Sequence, residues 1–492
     1  MAGLMVLGTA SNAGKSAMVT ALLRIYANRG YRVVPFKAQN MALNSGITDD
    51  GSEIGRAQIV QAEAARIPAD VRMNPILLKP TAPGVSQVIV GGRVYKNLET
   101  RAYYAEKKKL FPKALSAYES LANEFDFVLC EGAGSASEIN LKSVDMVNMG
   151  FAKAADIPAI LIADIDRGGM FASVVGTWEL FDEDERRRLK GIVVNRFRGD
   201  VSILEPGLKI LEERTGVPVL GVVPYADVRL EAEDSLAMEF HETDRRAVDI
   251  AVIHLPHISN VTDVAPFQMM ADVSVRAITR VEEFGEPDLL IIPGTKNTMA
   301  DLKWLKETGI YARILRHAER GGNVFAICGG FQMMGDTLSD PDSVESGGTM
   351  EGLKLFPVDT IFSKEKKQCR VETTITASEG LLKNLSGKKV AGYEIHMGES
   401  KIRGGEVEPL TALTASGGVV KNGRLYGTYI HGFFDAPHIA EGIVAILKKE
   451  KNLPPKEAMD YAAFKDSQIE KLAAVVEEAL DMKRLDEILG LL

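Results

Sequence analysis

Short runs rich in Val, Ile and Leu alternate with helix-period segments along most of the chain. Residues 4–8 read as a buried strand. Residues 16–29 then carry apolar positions at helical spacing, and Gly30 is placed to stop that helix. Further strand candidates are 31–36, 125–132, 157–165, 191–195 and 217–223. They lack the apolar–polar alternation of a half-exposed sheet. Strands covered on both faces have this composition, so the expected fold class is α/β, with a parallel sheet between helices. Residues 227–247 are polar and acidic and read as a linker. Strand candidates restart at 249–255, 288–294 and 323–327, a β-like, turn-rich stretch runs to about residue 430, and 437–492 read as helices. The pattern divides the chain into a first domain over 1–240, a second over 248–440 and a C-terminal helical segment over 441–492.

With 492 residues the chain can bury more than one core. Its formal net charge of −9 argues against a general nucleic-acid binder, which needs a basic face for phosphates. The three cysteines, Cys130, Cys328 and Cys369, cannot build a disulfide framework, and their spacing matches no zinc motif. A reducing cytoplasm is the simplest setting. The first residues lack the basic and apolar regions of a signal peptide, and no apolar run is long enough to span a membrane.

The segment from Gly8 to Ser16, GTASNAGKS, falls between the first strand and the first helix. Backbone N–H groups of Thr9, Ser11, Asn12, Ala13 and Gly14, with the helix N-terminus behind them, would cradle phosphate oxygens. Lys15 adds a point charge and Ser16 a hydroxyl able to ligate Mg²⁺. The loop departs from the usual pattern in one respect: Thr9 stands where the first glycine is expected, and Gly8 precedes it. The second candidate site is the run from Asn323 to Met334, a strand, a sharp turn and a helix start with Cys328 at the turn. A cysteine at such a turn follows the logic of a nucleophile elbow, the helix N-terminus favours its thiolate, and the Gly329 N–H can stabilise an oxyanion. His431, following a strand about a hundred residues downstream, is the matching base. His254, His257 and His396 compete as isolated histidines. Cys130 reads as a packed core thiol and Cys369 as an exposed bystander.

These motifs resemble two known groups. GTASNAGKS is similar to the loop of the dethiobiotin synthetase-like branch of P-loop proteins, which activate carboxylates with ATP. That likeness implies a phosphate contact from Lys37, Mg²⁺ ligation by Glu131 and by Glu53 (with Asp50 as the alternative), and adenine recognition by Asn195. The strand–Cys–helix and late-His layout resembles class I glutamine amidotransferase domains. It implies that Gly294 and Thr295 belong to a second oxyanion loop. Many such domains carry a triad Glu two residues after the His; here Phe433 stands there, which leaves open what orients His431.

The order Lys37–Met41, Glu131–Ser135, Glu138–Leu141, Asp164–Phe171, Cys328–Gln332 and Tyr429–Gly432 resembles the cobyric acid synthase family of cobalamin biosynthesis over nearly the whole chain. The resemblance implies a glutamine-hydrolysing, ATP-dependent ligase. Its implied small-molecule substrates are glutamine, ATP with Mg²⁺, and a corrinoid a,c-diamide amidated on four side chains. No protein-bound cobalt, nucleic acid or membrane is implied, and homo-oligomerisation is left open. Gln39, Asn40, Asn140, Asp166 and Arg167 are the acceptor-site candidates, expected to line one crevice beside Ser16 and Glu131. The related cobyrinic acid a,c-diamide synthase is the nearest alternative. An ATP-binding switch with a remnant glutaminase domain is the alternative from another class; the intact Cys328 and His431 disfavour it.

Overall fold

The computed structural model describes residues 2–231, 247–413, 417–454 and 460–491. The expected linker lies largely outside the described residues. One parallel sheet and one mostly parallel sheet organise the rest. In the first, six strands run in the order Val219–Pro224, Leu189–Phe197, Ala159–Asp164, Ala2–Gly8, Phe127–Glu131, Val33–Phe36, every pairing parallel. The buried runs read from sequence are these strands; the central ones are sealed on both faces, and the edge strand Val219–Pro224 is half-exposed. The sequence order reverses between Ala2–Gly8 and its neighbours, the point at which open α/β sheets bind ligands beyond their C-terminal edges. The phosphate loop, Glu131 and Asp164 all stand at that edge.

One face of this sheet packs on helix Lys15–Asn28, and the C-terminal helices Tyr461–Ala479 and Met482–Leu489 complete the same layer. Ile469, Leu472, Val476, Leu480, Leu485 and Leu489 share a core with Leu22, Ile25 and Tyr26. The guanidinium of Arg24, 1% exposed, meets Asp466 and Glu470 at 2.7 Å each, and the Tyr26 hydroxyl donates to Asp486 at 2.7 Å. The preceding helix, Ile439–Glu450, packs instead into the core of the second domain. The helical segment expected over 441–492 thus divides between the two cores. Apolar periodicity marks these helices but does not say which distant face they cover.

The second sheet runs Val273–Ile278, Val248–Ile253, Leu289–Ile292, Val324–Ile327, Leu425–Thr428, then Val419–Lys421 and Glu408–Pro409. The first five strands pair in parallel and the last two antiparallel. A long antiparallel pair, Val358–Thr374 with Lys389–Ile402, lies beside it and breaks register between Phe362 and Lys367. In the first domain, the strands Ile76–Ala82, Val85–Val90 and Arg93–Glu99 form an antiparallel sheet that the sequence pattern did not reveal. These two additions face each other. Lys366, in the register break, meets Glu53 at 2.5 Å. Gln368 donates to the carbonyls of Gly51 and Gly92, and the Tyr393 hydroxyl donates to the Ser45 carbonyl at 2.8 Å. No helix among the described residues is long and apolar enough to cross a membrane.

Candidate active sites

Gly14 begins the first helix at φ 102°, and a side chain there would strike the Asn195 amide at 2.0 Å, so close backbone approach requires glycine. Asn195 donates to the Ala13 carbonyl at 2.9 Å, which ties the end of strand Leu189–Phe197 to the phosphate loop. The Lys15 ammonium reaches back to the carbonyls of Ala10 at 3.0 Å and Gly134 at 2.9 Å, so two loops close on it. Glu131, 1% exposed, accepts from Ser16 at 2.9 Å, Lys37 at 2.7 Å and Gln61 at 2.5 Å. The hydroxyl and carboxylate so placed suit a divalent cation beside a phosphate loop. Gln61 carried no signal in the sequence. It stands on helix Arg56–Ala64 and becomes a neighbour of Glu131 only through folding.

Glu53 and Asp50 do not join this group. Glu53 meets Lys79 at 3.0 Å, Lys366 at 2.5 Å and the Ser45 hydroxyl at 2.9 Å. Burial opposes its charge, but the two ammonium groups outweigh it and hold the carboxyl well below the usual range. A carboxylate already committed to two lysines is a poor ligand for a dication, whose charge those lysines would repel. Asp50 caps its own turn, accepting from Ser52 and from the Thr48 hydroxyl. The metal role expected of either residue is withdrawn.

The acceptor candidates separate as well. Gln39 lines a cavity of about 650 Å³ together with Thr9, Ser11, Ser135, Glu138 and Leu141. Asp166 and Arg167 line another, of about 690 Å³, with Gly14, Asn195, Arg198 and Tyr225. Asn40 is buried and hydrogen-bonded to Gln58, and Asn140 is exposed and absent from the walls of both cavities. The expected single crevice is thus two, on opposite sides of the phosphate loop. Motif order along the chain does not tell on which side of a loop each motif lands.

At the second site Cys328 adopts φ 50° and ψ −110°, a backbone strain that sets the side chain between strand Val324–Ile327 and helix Gly329–Met333. Glycine is needed beside it: a side chain at Gly330 would lie 2.1 Å from the Ile292 carbonyl oxygen. A side chain at Gly294 would lie 3.0 Å from the His431 ring, and one at Gly329 would lie 2.6 Å from Thr295. The elbow, the 294–295 loop and the imidazole are packed against one another.

His431 is 1% exposed, and its Nδ1 lies 2.7 Å from Asp263 Oδ2; the other oxygen of Asp263 accepts the Gly432 N–H at 2.8 Å. Burial works against the imidazolium. The Asp263 charge and hydrogen bond, with a further contribution from Cys328, prevail and hold His431 up at about 10. Asp263 thus fills the orienting place that Phe433 leaves vacant. It lies on the short turn Val261–Val264, 168 residues upstream, where spacing could not have found it. The competing histidines have other partners, although His396 lines the Cys328 cavity. His257 Nδ1 lies 2.6 Å from Asp301, whose hydrogen bond raises it. His396 contacts the Gly398 carbonyl and Glu394 and stacks on Tyr429. His254 follows strand Val248–Ile253 and is half-buried. Cys130 is buried, and burial pushes its thiol well up. Cys369 is half-buried opposite Glu394 in the long antiparallel pair, not exposed.

A phosphate loop on one parallel sheet and a Cys–His–Asp elbow on another define a class: a nucleotide-binding domain fused to a glutamine amidotransferase domain. The comparisons agree. The family model described as "CobQ/CobB/MinD/ParA nucleotide binding domain" matches residues 4–236, and that of the "CobB/CobQ-like glutamine amidotransferase domain" matches residues 249–439. Cobyric acid synthase of Lachnoclostridium phytofermentans is 48% identical over 99% of this chain and 98% of its own length. That of Ruminiclostridium cellulolyticum is 49% identical over 99% and 96%, and one from Listeria monocytogenes is 45% identical over 99% and 96%. The chain belongs to the cobyric acid synthase family.

Proposed function

We propose that the chain converts adenosylcobyrinic acid a,c-diamide to adenosylcobyric acid, amidating the b, d, e and g carboxylates with ATP and with ammonia drawn from glutamine. The observation that carries this reading is the pairing of a Ser16–Lys37–Glu131 cluster on a phosphate loop with a Cys328–His431–Asp263 cluster in a single chain of this family.

A carboxylate is a poor electrophile, so it must be activated before ammonia can attack. The corrinoid carboxylate attacks the γ-phosphorus of ATP, the bond to the bridging oxygen breaks, and ADP leaves an acyl phosphate. Ammonia then displaces inorganic phosphate. The phosphate-loop N–H groups and Lys15 hold the triphosphate, and Lys37 offers a second cation close to the transferred group. Ser16 and Glu131 would hold a magnesium ion, which would offset charge on the phosphates. Asn195 and the cavity it shares with Arg198 suit the adenine side. The cavity bearing Gln39 and Glu138 suits the acceptor.

At the other site the Cys328 thiolate attacks the glutamine side-chain amide. The His431 imidazolium gives its proton to the departing nitrogen, and ammonia leaves a thioester. The imidazole, now neutral, takes a proton from water, whose oxygen attacks the thioester to release glutamate. Gly329 N–H and the 294–295 loop would receive the oxyanion. Strands Ile76–Ala82 and Val85–Val90 of the first domain wall the Cys328 cavity through Lys79, Thr81 and Gln87. Ammonia is therefore released against the domain that consumes it.

Mass spectrometry of the products from the a,c-diamide, glutamine and ATP tests the reading. Four successive steps of about one mass unit are expected, since each replaces OH by NH₂. Turnover of cobyrinic acid only as far as the diamide would transfer the assignment to the a,c-diamide synthase.

A further inference from the structure

We propose that Lys296 and Glu345 recognise the amino-acid head of glutamine, Lys296 taking the α-carboxylate and Glu345 the α-ammonium group. They would thereby restrict the Cys328 site to free, zwitterionic amides. This rests on the reading of Cys328 as the glutaminase nucleophile.

Both side chains line the cavity of about 240 Å³ that contains Cys328, and Thr295 and Gln332 share its wall. A glutamine whose amide carbon meets Cys328 must place its α-carbon within the same small space. Its two charged groups then need opposite charges nearby, because an unpaired buried charge is costly.

Three lysines face the cavity, and they differ in their partners. Lys79 and Lys366 both close on Glu53, at 3.0 and 2.5 Å, whereas Lys296 meets the neutral Gln87 amide oxygen at 3.2 Å. The Lys296 backbone is fixed, its N–H bonded to the His257 carbonyl at 2.9 Å, and it follows directly on the Gly294–Thr295 loop. Burial, with Lys366 and Lys79 beside it, draws the Lys296 ammonium down to about 7. An arriving carboxylate would restore its charge.

Glu345 is held over the cavity from the other side. Asp340 accepts the N–H groups of Val344, Glu345 and Gly347 at 2.8 Å each, which folds residues 341–347 inward. The Glu345 carboxyl accepts from Met299 N–H at 3.0 Å and the Thr298 hydroxyl at 3.2 Å, and burial pushes it up to about 7. Among the described residues, Lys296 and Glu345 form no ion pair with each other or with a third group. Each is a half-buried charge that lies within the other's field but has no ion-pair partner, and a zwitterion supplies one to both.

The test measures glutaminase kcat/KM on three amides: glutamine, glutaramate, which lacks the α-amino group, and 4-aminobutanamide, which lacks the α-carboxylate. Lys296→Met should lower kcat/KM for glutamine and glutaramate about 10- to 100-fold, mostly through KM, yet leave 4-aminobutanamide unaffected. Glu345→Gln should show the mirror result, sparing only glutaramate. Should Lys296→Met not fold, Lys296→Gln carries the same comparison. Equal losses on all three amides, or none, would overturn this assignment while leaving Cys328 as nucleophile. Absence of glutamine hydrolysis by the unaltered chain would overturn the nucleophile reading, and this one with it.

Discussion

Replacing Asp263 with Asn isolates the charge that the fold places behind His431. The amide is nearly isosteric with the carboxylate, so packing on the Val261–Val264 turn should survive. The hydrogen-bond logic does not. One Asp263 oxygen faces His431 Nδ1 at 2.7 Å and the other accepts the Gly432 N–H at 2.8 Å. An asparagine can keep the Gly432 bond only by turning its NH₂ toward the imidazole. Nδ1 must then accept, so the proton moves to Nε2 and the ring holds the wrong tautomer. The difference between an ordinary imidazole and one held up at about 10 corresponds to about 5 kcal/mol of preference for imidazolium. Asp263 supplies the larger share and Cys328 the rest, so losing the Asp263 share lets burial draw His431 toward the neutral form. Glutamine hydrolysis should fall about 10³- to 10⁴-fold, the range expected when a charged orienting group is lost. Amidation fed by high ammonia should remain. The stability sign is also set. A raised folded-state value contributes fully below the ordinary 6.5 and is lost as pH rises through about 10, so unaltered protein should weaken over that window and the variant should not. Glutamate release, ammonia-fed amidation and denaturant midpoints, each measured from about pH 6 to about pH 10, read all three effects. Near-normal glutaminase activity in Asp263→Asn would refute the argument.

Cys328→Ala should abolish glutamine-dependent amidation while retaining turnover with high ammonia; normal glutamate release by that variant would remove Cys328 from its role. Lys15→Ala should cut ATP-dependent amidation sharply, by about 10²-fold or more, with glutaminase activity far less affected, as steady-state kinetics on both half-reactions will show. Leu472→Ala, in the core that joins the C-terminal helices to helix Lys15–Asn28, should cost about 2–5 kcal/mol. Denaturant unfolding should show the loss in the nucleotide-binding domain, and an unchanged midpoint there would contradict the shared core.

The sequence by itself determined whatever depends on local chemistry. Unalternating apolar runs marked the six strands of the first sheet and three central strands of the second, because a strand sealed on two faces has no polar side to display. A glycine-rich turn ending in Lys15 and Ser16, and a cysteine followed by two glycines, are local solutions to local geometric demands, so both sites were legible. Tertiary structure decided what depends on which distant surfaces meet. Asp263 orients His431 across 168 residues, and Gln61 reaches Glu131 from a separate helix. The last two helices return to cover the first sheet, and Glu53 is claimed by Lys79 and by Lys366 of the facing domain. The acceptor motifs divided for the same reason, because a loop has two sides and chain order does not choose between them. Periodicity shows that a face will be buried and a motif shows what chemistry it carries; only packing selects the partner.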